Sequence, residues 1–377
     1  MADIIDNRVG EPDLGLIPGN ILPGRLPAEV MQLMEFGYSI DRQGLHATLA
    51  AVSGYFNKYN NLSGTNAIKP DQVIMADGAR AAASVVVLYL RNKYAKEGIS
   101  KPKALLLKPG YNLYDSQFID LGFELDKVYL AKNSSDEEKL SIIRKAITPQ
   151  TIILPITNPN NPTGEIFSEK FLHGLLELVD EFPWLNIIND AVYDHILRAK
   201  TAKPANIFAL SNVTQKQRVF EVNSLAKAFA YPAIRAGWAI GDEKVIAEIQ
   251  ESKDPILGPL NNIAQLVTIS ALVHTPSDYP DSIRKIYDAR LKLVHDKLHQ
   301  IKNFKSEIPP AAFYYWADFT GVIAVKDLAQ KLKARNILVS EGAKFGEPNC
   351  IRINCGASDE ALTKICDAIV DICASGV

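Results

Sequence analysis

The chain has 377 residues, 47% of them hydrophobic and 22% charged, with a formal net charge of -2. That length exceeds a typical small domain and predicts two domains or one large α/β unit with an ample core. The near-neutral charge argues against nucleic-acid and acidic-membrane partners, and no apolar run reaches the length of a membrane span.

The opening segment "MADIIDNRVGEPDLG" lacks the apolar stretch of a secretory signal, so a soluble cytoplasmic protein is expected. Short apolar runs then recur at 72–76, 104–108, 151–156, 186–190, 218–222 and 237–241. They are too short for helices and lack strict in–out alternation, which predicts buried strands. Helical patterns lie between them at 79–95 and 168–181, the second with Ser168 as its expected N-cap. Strands alternating with helices predict a mostly parallel sheet whose ligands sit at the C-terminal ends of its strands.

Further along, Ile283, Tyr287, Leu291, Val294, Leu298 and Ile301 form one stripe, which predicts a long helix over 281–301. It is expected to bridge into a smaller domain that includes "CIRINCG" (350–356) and a final helix from about 358. Cys350, Cys355, Cys366 and Cys373 are irregularly spaced, and no histidine follows them. Buried free thiols in a reducing compartment, with no metal site, are the expectation.

Four features fall at the ends of predicted strands. "TNPNNPTG" (157–164) is a rigid Asn/Pro/Gly turn whose amides, including that of Asn161, can meet a ring oxygen or a carboxylate. In "NIINDAVYDH" (186–195), Asp190 closes a strand and Tyr193 follows it. A carboxylate there is either a turn former or, if buried, one that needs a cationic partner. In "ADGARAAAS" (76–84), Gly78 separates a strand from a helix, so free amides at a helix N-terminus could attract phosphate. The pattern is neither GxGxxG nor a Walker loop, which argues against a nucleotide. Finally, "NSLAKAFAYPAIRAGW" (223–238) carries Ser224, Lys227 and Arg235. A lysine in such company is ordinarily a surface residue with an apolar stem. Beside a cation and among apolar neighbours it would instead be a nucleophilic amine of lowered pKa, with Ser224 and Arg235 binding phosphate.

Taken in order, the glycine turn, an aromatic, NPTG, D-x-x-Y, S-x-x-K, R-x-G and a late arginine resemble the class I/II aminotransferases. These are pyridoxal-phosphate enzymes of fold type I, and the resemblance runs from "VGEPDL" (9–14) to "CIRINCG". It implies a seven-stranded, mostly parallel sheet in a large domain, 26–285, with 1–25 and 286–377 forming the smaller α/β domain. It implies pyridoxal 5'-phosphate as cofactor, Lys227 forming the internal aldimine, and Asp190 on the pyridinium nitrogen. Tyr193 and Asn161 would bond the ring's phenolate oxygen, and Tyr111 would stack on the ring. Gly78, Ala79, Arg80, Ser224 and Arg235 would hold the phosphate, with Tyr38 reaching it from the neighbouring subunit of a homodimer. Arg352, Asn161 and Gly10 would bind substrate, Arg352 as the fork for the α-carboxylate. Arg352 should point away from the face carrying Ile351 and Ile353. The implied reaction is ping-pong transfer of an amino group from an L-amino acid to a 2-oxo acid. A lyase or decarboxylase using the same cofactor is the alternative. Two positions depart from the family's S-K-x-x-x-x-P-G, with Ala226 and Ala233 in place of serine and glycine, and "GLHATLAAV" has Leu49-Ala50 where Leu-Arg is usual. None of these changes removes a reacting group. The segment 251–262 is expected to be a loop lining the pocket, with Lys253 as a solvated residue.

Overall fold

The computed structural model describes residues 4–13, 15, 28–32, 42–257, 260–276 and 278–375, apart from the side chains of 29 and 253–257. Its strands in chain order begin with β1 (Ile5–Asp6), β2 (Val73–Ala76), β3 (Lys103–Lys108) and β4 (Glu124–Tyr129). Then come β5 (Thr151–Thr157), β6 (Asn186–Asp190), β7 (Val219–Ser224) and β8 (Gly237–Ile240). The last four are β9 (Tyr314–Asp318), β10 (Ile337–Leu338), β11 (Ser340–Glu341) and β12 (Cys350–Asn354).

Seven of these form one sheet in the order β2-β8-β7-β6-β5-β3-β4. Only β8 runs against its neighbours; the other pairings are parallel. The sheet is therefore the mostly parallel seven-stranded one expected. Every residue of β2, β5, β6, β7 and β8 is buried, which explains why these strands read as continuous apolar runs. The strand missing from the sequence reading is β4. It is a half-exposed edge, and "ELDKVY" has no apolar run.

Helices cover the sheet as the periodicity predicts. The helix Ala79–Lys96 begins at Gly78, and Glu169–Glu181 begins at Ser168, whose hydroxyl accepts from the Phe171 amide. Such a cap is worth about 1 kcal/mol. The long helix spans Tyr279–Leu298 and buries Ile283, Tyr287, Leu291, Val294 and Leu298, while Ile301 is buried just beyond its end. Each fully buried side chain of this kind contributes roughly 1.5–3 kcal/mol. One correction concerns 251–262. The helix Glu243–Leu257 runs through its first part, and Asn261 caps the next helix, so it is not a continuous loop. The Lys253 side chain lies outside the described residues.

A separate three-stranded sheet, β11-β12-β9, is antiparallel and packs a core of its own with the C-terminal helix Asp359–Ala374. Cys355, Cys366 and Cys373 lie in that core, and all four cysteines are buried and free.

Candidate active site

Asp190 ends β6, Ser224 ends β7 and Thr157 ends β5, all at the same edge of the sheet because these strands are parallel and in register. Beyond that edge lies a cavity of about 290 Å³. Arg80, Tyr111, Asn161, Tyr193, Lys227 and Arg235 line it together with Asp190 and Ser224. Residues as distant in sequence as Arg80 and Arg235 thus meet at one site.

At one end of the cavity the chain passes through Gly78 at φ 93°, a left-handed conformation, and enters a helix. A Cβ on Gly78 would lie 2.5 Å from Arg235 Nη2, and one on Gly237 would lie 2.4 Å from the Gly78 carbonyl carbon. Gly237 is therefore required by close backbone approach, and Gly78 by its left-handed φ. The Arg235 guanidinium donates to the carbonyls of Pro232 and Asp77 at 3.0 and 2.9 Å. It sits beside the open amides of the helix N-terminus, where an anion is favoured. Ala226 also faces this space, so a methyl stands where a serine hydroxyl was expected.

In the middle, Asp190 is buried, and its Oδ2 accepts from the Tyr114 hydroxyl at 3.0 Å. Its Oδ1 is buried without a hydrogen-bond partner among the described residues. Burial pushes the carboxyl up to about 6, against the Tyr114 hydrogen bond. Lys227 is part-buried and donates to the Gly10 carbonyl. Burial, reinforced by the nearby Arg352 cation, lowers its amine to about 8. A part-buried amine in the cavity wall, bonded to a backbone carbonyl, differs from a snorkelling surface lysine, whose head stays in water.

On the far side, Asn161 Nδ2 donates to the Tyr193 hydroxyl at 3.1 Å, and Asn161 Oδ1 accepts from Arg352 Nη1 at 3.0 Å. Arg352 lies on β12 with its side chain opposite to the core-facing Ile351 and Ile353, as alternation requires. The Arg80 side chain donates to the Tyr111 hydroxyl at 3.0 Å. Tyr38 lies outside the described residues. The sequence reading missed two tyrosines, Tyr114 beneath Asp190 and Tyr314 beside Tyr193. Tyr114 stands three positions after Tyr111, so the two rings meet edge-on, with centroids 5.1 Å apart.

The sequence profile described as "Aminotransferase class I and II" matches residues 32–369, most of the chain. The chain belongs to the class I and II aminotransferases. It is a pyridoxal-phosphate-dependent enzyme that transfers amino groups. An "Aspartate aminotransferase" of Bacillus sp. (strain YM-2) is 26% identical to this aminotransferase, over 96% of this chain and 91% of that one. A "Probable aspartate/prephenate aminotransferase" of Rickettsia bellii is 23% identical, over 99% and 92%. Among solved structures, the Thermus thermophilus aspartate aminotransferase with maleate superposes with a TM-score of 0.83 at 23% identity. That match covers 98% of this chain and 92% of the other, and it identifies the fold. These relatives do not favour the lyase or decarboxylase alternative.

Proposed function

We propose that the cavity holds pyridoxal phosphate and that its residues move an amino group from an L-amino acid to a 2-oxo acid. The observation that carries this reading is that Asp190, whose buried Oδ1 makes no hydrogen bond among the described residues, lines the same cavity as Lys227. A buried carboxylate oxygen without a donor is costly, and a protonated ring nitrogen supplies one. When bound, the cofactor supplies an aldehyde that condenses with amines and a protonated ring that accepts the electron pair left at the substrate α-carbon.

The residues divide the remaining work. Lys227 Nζ would hold the cofactor at its aldehyde and, when free, would carry the substrate's α-proton. Tyr193 and Asn161 would bond the ring's phenolic oxygen, and Tyr111 would stack on the ring. The amides at Gly78, Ala79 and Arg80, with Ser224 and Arg235, would grip the phosphate. Arg352 exchanges its neutral acceptors, Asn161 Oδ1 and the Arg8 carbonyl, for the substrate's α-carboxylate. Gly10 lets the N-terminal segment approach that carboxylate closely. The names of the relatives make an acidic amino donor such as aspartate the first to test.

Two large apolar clusters lie wholly within 26–285 and a third wholly within 1–25 and 286–377, which supports a large and a small domain with those bounds. A smaller cluster around Tyr193, Tyr287 and Phe313 joins them. Homodimerisation, with Tyr38 completing the neighbouring site, is also part of this reading. Four buried thiols fit a cytoplasmic location.

Two results follow for the cofactor-free protein. Lys227 is held at about 8 when folded against 10.5 otherwise, so its amine is mostly neutral above pH 8. Capture of added pyridoxal phosphate, followed by stopped-flow absorbance, should accelerate as pH rises through 8 and then level off. A rate independent of pH from 7 to about 9.5 contradicts the role given to Lys227. At Lys227 the unfolded chain binds more protons than the folded one between about 8 and 10.5, so the contribution of this residue to stability rises with pH across that window. The four thiols, pushed up by burial, act in the opposite direction. Separately, Gly78→Ala places a Cβ against Arg235 in a left-handed backbone. It should weaken cofactor binding by about tenfold or more, as read by equilibrium dialysis. Unchanged affinity removes Arg235 from the phosphate site.

A further inference from the structure

Tyr314 is fully buried and touches three groups of the site at once. The antiparallel register sets Tyr314 opposite Asn354 and Trp316 opposite Arg352. Strand alternation then sends Tyr315, Ala317, Ile351 and Ile353 into the core and leaves Tyr314 and Arg352 on the other face. There the Arg352 guanidinium lies over the Tyr314 ring, with Cζ 4.3 Å from its centroid, and Phe345 approaches at 5.0 Å. The Tyr314 hydroxyl is 3.0 Å from that of Tyr193 and 3.5 Å from the Gly10 carbonyl. A Cβ on Gly10 would stand 2.3 Å from this hydroxyl, so only glycine fits there.

Arg352 is buried, yet among the described residues Nη1 and Nη2 bond only the neutral oxygens of Asn161 and Arg8, at 3.0 and 2.9 Å. Its Nε makes no hydrogen bond among the described residues. Two neutral acceptors do little to offset desolvation of a guanidinium, whereas an aromatic face at this distance attracts the cation without competing for its fork. We propose that Tyr314 is a positioning residue. Its ring is the shelf that keeps Arg352 buried, charged and aimed at the substrate carboxylate, and its hydroxyl orients Tyr193. This rests on the reading of Arg352 as the carboxylate fork.

The test uses the cofactor-loaded full chain and the α-methyl analogue of its preferred amino donor, which keeps the carboxylate but lacks the α-proton. Binding is read from the change in cofactor absorbance, alongside KM and kcat for the donor itself. Y314F keeps the ring and should leave analogue affinity and KM within about twofold. It should also move the pH midpoint of the cofactor absorbance, because Tyr193 loses a hydrogen bond. Y314L removes the shelf and should raise both the analogue Kd and KM by about tenfold or more, with kcat changing far less. Y314M, closer to tyrosine in length, should behave as Y314L does if that variant fails to fold. The proposal is overturned if Y314L and Y314M bind the analogue as the wild type does, or if Y314F weakens binding as much as they do. R352L separates the two levels. If it leaves analogue affinity unchanged, the fork assignment itself fails; if it weakens binding while Y314L does not, only the role of Tyr314 fails.

Discussion

Lys227→Ala should lower turnover by about four orders of magnitude or more while leaving the fold intact. The amine does two jobs in the proposed reaction, nucleophile and proton carrier, and general acid–base help alone is worth roughly 10²–10⁴-fold. Geometry gives no substitute. The other cations lining the cavity are Arg80, which bonds Tyr111, and Arg235, which bonds two carbonyls, and a guanidinium stays protonated. Stability should change little, because a part-buried amine with its pKa held down to about 8 is itself a cost to folding. The check is steady-state turnover with a melting curve for the same preparation. Turnover within tenfold of wild type would remove Lys227 from the chemistry.

The second large effect is expected at Asp190. Asp190→Asn keeps the shape and the Tyr114 contact but removes the charge that would hold a protonated ring nitrogen. Breaking a buried charge pair by removing one partner costs about 3–5 kcal/mol, which corresponds to a roughly 10²–10³-fold loss or more in turnover and in cofactor affinity. Asp190→Glu, which restores the charge at a displaced position, should recover part of both. Tyr114→Phe is expected to cost less, about tenfold, because it removes one hydrogen bond to a carboxylate and leaves the charge in place. Dialysis against cofactor-free buffer and kcat measurements on the three variants give the ranking. If Asp190→Asn retains cofactor as firmly as wild type, the unpartnered Oδ1 does not serve the ring nitrogen.

Much of this site is legible in the chain because α/β geometry turns order in sequence into position in space. Asp190 and Ser224 close apolar runs, and parallel pairing brings the ends of those runs to one edge. Gly78 reads as a strand-to-helix turn, and the structure adds that it is left-handed and packed against Arg235. What stays hidden depends on long-range contact or lacks a pattern. Tyr314 belongs to "YYWAD", where aromatic side chains occupy both faces, so alternation cannot tell the core tyrosine from the one beside Arg352. The edge strand β4 has no apolar run to find, because half of its surface meets solvent. The stretch 251–262 reads as a loop, with Pro255 and Gly258 as helix breakers in it, although the helix Glu243–Leu257 runs through its first part.

Loading the protein with pyridoxal phosphate and adding an amino acid alone, with no oxo acid, tests the central claim most directly. The proposed reaction releases one equivalent of 2-oxo acid per subunit and then stops, with the cofactor absorbance changed and no ammonia formed. Adding a 2-oxo acid should restore the original absorbance. Continued release of ammonia or carbon dioxide over many turnovers without an acceptor would contradict amino transfer and point to elimination or decarboxylation at the same site.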